Sequence, residues 1–255
     1  MAELDAIVAF LDQSLRTAEF TDYPGAVNGL QLANRGEVRH VIAAVDASLP
    51  IVNAAVAAAA GQPALLVVHH GMFWQGVQPV TGALYRKLKT AMDADLAIYS
   101  SHLPLDVHPQ WGNNIRLARA IGIDAPEPFL DGRDGPMGLR GTWQGTRQSL
   151  ADQLSDVLGN GRVHICPGGP DSITRVGIIT GGAGSEVAAV AACGVDTFIT
   201  GEGPHWSYPL AEELGVNLLY AGHYATETFG VKALAQEIAE KYGISWEFAD
   251  HPSGL

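Results

Sequence analysis

Cysteine is scarce in this sequence, with only Cys166 and Cys193 among 255 residues. The two cysteines stand far apart in apolar stretches, and the absence of a CxxC pair excludes a zinc site built from paired thiolates. We expect both thiols to be reduced and partly buried. Any metal ion that this chain binds is therefore expected to use imidazole and carboxylate ligands.

Basic residues are also few, with 15 Lys and Arg against 27 Asp and Glu, which gives a formal net charge of -12. Proteins bind duplex nucleic acid largely through cations that neutralise its phosphates. We therefore do not expect duplex nucleic acid to be a partner. The composition is 47% hydrophobic and 16% charged, which is typical of a folded chain with a sizeable core.

Long apolar runs are missing as well, since none reaches the roughly 20 residues that span a bilayer. The Ala-rich run Val52–Ala60 is short and indicates a buried helix. Glu3 and Asp5 stand near the N-terminus, where a signal peptide would carry basic residues. We expect a soluble cytoplasmic protein with no membrane partner.

The sequence alternates between strand and helix patterns, which predicts an α/β fold with mostly parallel sheets. We expect two α/β lobes, residues 1–125 and 126–255, with the last helix packing back on the first lobe. Pro, Gly and Asp dominate Pro126–Gly145, which we interpret as an irregular crossing between the lobes. Each lobe repeats a strand-helix-strand-helix-strand pattern. The predicted strands are Arg39–Asp46, Ala64–Val68 and Leu96–Ser100, then Thr174–Thr180, Thr197–Thr200 and Asn217–Ala221.

Polar residues gather where these strands end. His69, His102, Glu202 and His223 each follow directly on a predicted strand, and Asp106 lies four residues after His102. Ligands of open α/β sheets bind at the carboxyl ends of the strands. The sequence therefore predicts a functional site at the strand ends, between the two lobes.

Two of these features match metal ligation by their spacing. His69 and His70 are adjacent at a strand end, where two imidazoles can reach two ions, although a hydrogen-bonded pair in a turn is an alternative. His223 and Glu227 are four residues apart on one helix face, a spacing that suits Zn, Fe or Mn and also occurs on solvated helices.

Asp106 is the carboxylate that could bridge two cations. It follows the run Leu103-Pro104-Leu105, whose leucines anchor the loop in apolar surroundings, and a buried carboxylate there needs a partner. The alternative is a cap for a helix predicted at Asn113–Ile121, although Asp106 lies rather far upstream. The glycine-rich stretch Gly181–Glu186 could cradle a phosphate, but it lacks the Walker lysine and the full dinucleotide fingerprint, and a tight turn with close packing is the favoured interpretation.

The motifs together resemble a known family, the GTP cyclohydrolase 1 type 2 homologues, over about residues 4–248. The runs that carry the resemblance are His69-His70-Gly71-Met72-Phe73-Trp74, His102-Leu103-Pro104-Leu105-Asp106, Thr200-Gly201-Glu202 and Gly222-His223-Tyr224-Ala225-Thr226-Glu227. The resemblance implies a ring-shaped homohexamer with a dinuclear metal centre, in the compact form without an inserted domain. It further implies that His69 and His70 serve different metals, that Asp106, His223 and Glu227 complete the ligands, and that His102 and Glu202 lie close by.

Two functions follow from these observations. The first is a metal-dependent hydrolase that acts on a nucleotide, GTP being the substrate that the resemblance suggests. Such an enzyme would hold two divalent ions (Zn, Fe or Mn) per subunit, with Glu202 or His102 as general acid or base. The second is a non-enzymatic regulatory or scaffold protein whose metals are structural or sensed.

Overall fold

The computed structural model describes residues 1–159 and 161–255. Its strands are β1 (Ala2–Glu3), β2 (Gly29–Leu32), β3 (Glu37–Val38), β4 (His40–Asp46), β5 (Ala64–His70), β6 (Leu96–Ser100), β7 (Glu127–Gly132), β8 (Gly135–Thr146), β9 (His164–Pro167), β10 (Ser172–Ile178), β11 (Thr197–Thr200), β12 (Asn217–Tyr220) and β13 (Ser245–Phe248). Its α-helices are α1 (Leu4–Leu15), α2 (Leu49–Ala59), α3 (Gly82–Asp93), α4 (Leu103–Asp106), α5 (Asn113–Ala120), α6 (Arg147–Val157), α7 (Val187–Ala192), α8 (Ser207–Leu214), α9 (His223–Thr226) and α10 (Thr228–Tyr242).

The chain forms two compact units. The first comprises Met1–Leu105 and Gly230–His251, and the second comprises Asp106–Phe229 and Pro252–Leu255. The first unit thus ends earlier than the residue 125 expected from the sequence, and it includes most of α10.

The first unit is built on a five-stranded sheet of order β13-β4-β5-β6-β2. Every neighbouring pair is parallel except β2 and β6, which are antiparallel. The central strands consist almost wholly of buried apolar residues, as is typical of parallel strands covered on both faces. Helix α2 packs its buried face, including Ile51, Val52 and Ala55, into the same core.

The second unit is built on a six-stranded sheet of order β7-β8-β10-β11-β12-β9. Its central strands β10, β11 and β12 are parallel, and the outer pairs are antiparallel. The α/β class is therefore confirmed, with parallel pairing at the centre of both sheets. The predicted echo between the halves is also confirmed, because β4-α2-β5-α3-β6 and β10-α7-β11-α8-β12 each place three consecutive parallel strands side by side.

The interpretation of Pro126–Gly145 as irregular is wrong, since this stretch forms most of the antiparallel hairpin β7-β8. Two of its glycines, Gly138 and Gly141, allow close packing within the strand β8, whereas Gly135 lies at the hairpin turn with a φ of 120°. A Cβ at Gly138 would lie 2.7 Å from the Ile178 carbonyl oxygen. Glycine in a strand often marks such a close approach, which a composition-based interpretation mistakes for a loop.

Among the described residues, no helix is both long enough and apolar enough to cross a membrane.

We predict that Leu66→Ala lowers the free energy of unfolding by about 2–5 kcal/mol, because Leu66 is fully buried in β5 and its truncation leaves a cavity. Denaturant unfolding followed by circular dichroism measures this change. The matched control is Leu214→Ala at the exposed end of α8, for which we expect about 0.5 kcal/mol or less. Equal losses in the two variants would contradict the prediction.

Candidate metal centre

The first unit brings three histidines together at the carboxyl ends of two neighbouring strands. His69 and His70 are the last two residues of β5, and His102 follows the end of β6. One nitrogen from each ring can be chosen so that all three lie within 4.8 Å of one another, a grouping that could hold a metal ion. His69 is fully buried, whereas His70 and His102 are partly exposed.

All three imidazoles are oriented through their Nδ1 atoms. Carboxylate and carbonyl oxygens only accept hydrogen bonds, so Nδ1 carries a proton and donates it in each of these three contacts. Histidine ligands of metal ions are commonly oriented by such a hydrogen bond from the second ring nitrogen. At 2.9 Å each, the acceptors are Ser101 O for His69, Asp46 Oδ1 for His70 and Asp22 Oδ1 for His102.

Sequence reasoning missed both of these carboxylates. Asp46 ends β4 and stands opposite His70 in the β4–β5 register, so its position at a strand end was a signal that could have been used. Asp22 lies in the turn-rich loop before β2, and nothing in the local sequence marks it out.

Two aromatic side chains pack around this histidine group. The indole ring of Trp74 meets the rings of His70 and His102 nearly edge-on, at centroid distances of 5.7 and 4.9 Å. The ring of Tyr23 lies 5.8 Å from that of His102.

The second unit contains the remaining predicted ligands. His223 opens α9, and its Nε2 lies 3.2 Å from Glu227 Oε2. Its Nδ1 lies 2.8 Å from Glu202 Oε1. The predicted pairing of His223 with Glu227 therefore exists in the fold, and Glu202 contacts the Nδ1 side of the same imidazole.

Asp106 and Glu227 are buried carboxylates, with 9% and 2% of their surfaces exposed. Asp106 Oδ1 accepts hydrogen bonds from Asn113 Nδ2 at 2.8 Å and from Thr180 Oγ1 at 3.3 Å. Gly112 is the N-cap residue of α5, so the alternative of Asp106 as the cap is wrong. Asp106 contacts this helix through the side chain of Asn113.

Gly181 makes room for the Glu227 carboxylate. A Cβ at Gly181 would collide with Glu227 Oε1, and the Gly181 backbone has a left-handed φ of 69°. The Gly181 N–H donates to Thr226 Oγ1 at 3.1 Å, beside Glu227 in sequence. The glycine-rich stretch thus serves close packing, as the favoured interpretation expects.

The charges around His223 change its protonation. Burial lowers the pKa of His223, but the neighbouring carboxylates of Glu227 and Glu202 outweigh burial and raise it from 6.5 to about 9. Without a bound cation, the imidazole therefore holds a proton at neutral pH. A metal ion at Nε2 would have to displace that proton.

The chain belongs to the family described as Duf34/NIF3 (NGG1p interacting factor 3), which matches residues 2–253. A Deinococcus radiodurans protein named GTP cyclohydrolase 1 type 2 homolog is 40% identical, covering 98% of this chain and 94% of the relative. Among solved structures, the protein ybgI, described as of unknown function, is 33% identical with a TM-score of 0.90 and full coverage of both chains. The protein TTHA1606 from Thermus thermophilus is 37% identical with a TM-score of 0.87, again over both full chains. The resemblance read from the sequence is confirmed.

We predict that the metal-free protein loses stability as pH rises from 6.5 through about 9, because the folded pKa of His223 exceeds its ordinary value. The stabilising contribution is fully present below pH 6.5 and disappears once the folded imidazole loses its proton. Thermal unfolding of chelator-treated protein across this range measures the loss. His223→Gln should remove the His223-dependent part of the slope, and parallel profiles for wild type and variant would contradict the prediction.

Proposed function

We propose that this protein binds two divalent metal ions and uses them to hydrolyse a nucleotide. The proposed ligands are those expected from the sequence. They are His69 and His70 in the first unit, and Asp106, His223 and Glu227 in the second. One observation carries the proposal. The Nδ1 atoms of His69, His70 and His223 each lie within hydrogen-bonding distance of an oxygen atom, as is common for histidines that bind a metal ion through Nε2.

The donor set suits Zn, Fe or Mn, because imidazole and carboxylate together favour such ions over Ca and Mg. Both buried carboxylates, Asp106 and Glu227, supply negative charge that a cation pair would neutralise. When bound, a pair of divalent ions supplies Lewis acidity that activates water and polarises the bond under attack.

For the proton transfers we assign Glu202 as the general acid–base. Its side chain is 43% exposed, so water and substrate can reach the carboxylate. Its Oε1 accepts a hydrogen bond from His223 Nδ1. In this role Glu202 takes a proton from the attacking water and returns it to the leaving group. His102 is the other residue considered for this role. Its Nδ1 donates a hydrogen bond to Asp22, so only its Nε2 could take part in proton transfer.

Partial exposure of two of the three histidine ligands supports catalysis over a purely structural role. The side chains of His70 and His223 are 18% and 27% exposed, so the candidate ligands can be reached by a small molecule. Structural metal sites are closed by their protein ligands, whereas catalytic sites keep a position for water or substrate.

The substrate class comes from the relatives, since the Deinococcus radiodurans protein is named a GTP cyclohydrolase 1 type 2 homolog. In a purine nucleotide, the carbon between the two nitrogens of the five-membered ring would be the electrophile that water attacks, and its loss releases formate. We therefore propose GTP or a related nucleotide as substrate. We further propose that the protein is a cytoplasmic homohexamer. Light scattering would test the hexamer by measuring its mass in solution.

We expect two equivalents of metal per chain by elemental analysis, and nucleotide turnover that chelation abolishes. Asp106→Asn should lose most of the turnover and at least one equivalent of metal, because the amide cannot supply the negative charge that the carboxylate would offer a metal ion. Turnover is measured as formate and phosphate release in a screen of nucleotides and phosphoesters.

The matched control is Asp131→Asn, which makes the same change on an exposed residue of β7. It should keep both metal equivalents and full turnover. Undiminished turnover in metal-stripped wild-type protein would exclude the hydrolase mechanism. Two bound metals without turnover of any nucleotide would instead support the regulatory alternative.

A further inference from the structure

A second group of polar side chains lies at the opposite edge of the five-stranded sheet, where its strands begin. His40 is the first residue of β4, and Ser245 is the first residue of β13. The two strands are parallel neighbours, and their register pairs Ser245 with His40 and Glu247 with Ile42. Paired residues of neighbouring strands share a face of the sheet, as do residues two apart on one strand. Ser245, Glu247 and His40 therefore project from the same face.

The imidazole of His40 contacts both other side chains, one through each ring nitrogen. Its Nδ1 lies 2.8 Å from Ser245 Oγ, and its Nε2 lies 3.8 Å from Glu247 Oε1. The negative charge of Glu247 favours the tautomer that carries its proton on Nε2, which leaves the Nδ1 lone pair to accept a hydrogen bond from the Ser245 hydroxyl. A serine, an imidazole base and a carboxylate in this order form the arrangement that activates a serine as a nucleophile.

The exposure of the three side chains suits these roles. Ser245 is exposed, so a substrate can reach its hydroxyl. Only 14% of the His40 side chain is exposed, so the base is held in place beside the serine. The Glu247 side chain is 51% exposed, and water screens its charge. We therefore expect Glu247 to contribute less to the reactivity of Ser245 than His40 does.

The backbone of β13 supplies a hydrogen-bond donor next to Ser245. Within the described part of the chain, β13 lies at the edge of the sheet beside β4, and Ala249 N donates to Ala43 O at 2.8 Å. Successive N–H groups of a strand point to opposite sides within the plane of the sheet, so the N–H of Trp246 points away from β4, toward the open edge. A donor on the residue that follows the nucleophile can stabilise the oxyanion of an acyl transfer.

We propose that Ser245, His40 and Glu247 form a second reactive site, which hydrolyses small carboxylic esters without a metal ion. His40 and Asp46 stand at opposite ends of β4, about 20 Å apart at the usual rise per residue. Asp46 is the carboxylate that orients His70. The proposed site is therefore remote from the strand ends that carry His70, and the proposal does not rest on the dinuclear centre.

The reaction proceeds through an acyl-serine. Ser245 Oγ bonds to the ester carbonyl carbon while its proton passes to His40 Nδ1, and the electron pair of the carbonyl double bond moves onto the carbonyl oxygen. The pair returns as the bond to the leaving alcohol breaks, and the alcohol takes the proton from His40. Water repeats these steps on the acyl-serine, releases the carboxylic acid and restores the hydroxyl.

A fluorophosphonate probe tests the nucleophile directly, because an activated serine displaces fluoride from the probe and stays bonded to its phosphorus. The full chain is treated with a chelator and then with the probe, and mass spectrometry locates the label. We expect the label on Ser245, together with hydrolysis of p-nitrophenyl acetate. The matched internal control is Ser185, an exposed serine whose hydroxyl donates to Glu186 Oε1 at 3.3 Å. Ser185 should stay unlabelled.

Two variants separate a catalytic role from a structural link between β13 and β4. His40→Gln removes the base and should lower the maximal labelling rate by about 100-fold or more, with the half-saturating probe concentration unchanged. Glu247→Gln removes only the charge and should lower the same rate by a smaller factor. Ser185→Ala should match wild type in labelling and in ester hydrolysis. Circular dichroism checks that each variant is folded.

Equal labelling of Ser245 and Ser185 in wild-type protein would overturn the inference, and this comparison needs no variant to fold. A maximal labelling rate that His40→Gln leaves unchanged would also overturn it. Loss of the label on chelation would assign the reactivity to bound metal and contradict the proposal. Ester hydrolysis at the wild-type rate in Ser245→Ala would exclude Ser245 as the nucleophile.

Discussion

The hydrogen bond from histidine Nδ1 to an oxygen is the interaction on which the candidate site depends. It selects one tautomer, sets the ring plane, and leaves Nε2 as the atom that can bind a cation. Parallel strands supply the acceptor in two cases. Asp46 at the end of β4 lies beside His70 at the end of β5, and Glu202 after β11 lies beside His223 after β12. The order of strands in each sheet thus decides which carboxylate orients which imidazole.

Glycine at the strand ends allows the backbone to come close enough for these contacts. A Cβ at Gly201 would lie 2.6 Å from the His223 Cα and 2.6 Å from the Gly181 carbonyl oxygen. Substituting either glycine would push apart the segments that carry Glu202, His223 and Glu227. The close packing of these segments in the second unit therefore depends on glycine at positions 181 and 201.

The parallel strands could be predicted because each is a short buried apolar run followed by a polar residue, a pattern that depends on local sequence alone. Strand β6 was predicted at its observed bounds, Leu96–Ser100. The hairpin β7-β8 could not be predicted, since Gly138 is required by a contact with Ile178, 40 positions away in sequence, and not by a turn. Asp22 was missed for the same reason, because its importance arises from a contact with His102, 80 positions away in sequence.

The two units differ in the chemistry of their candidate ligands. The first offers imidazoles, and the nearby negative charge lies on the carboxylates of Asp22 and Asp46, which accept hydrogen bonds from two of those rings. The second offers the buried carboxylates Asp106 and Glu227 directly. Buried negative charge is costly unless a cation neutralises it, and in the absence of metal the proton on His223 meets part of that need. Metal and proton therefore compete for the same negative charge beside His223.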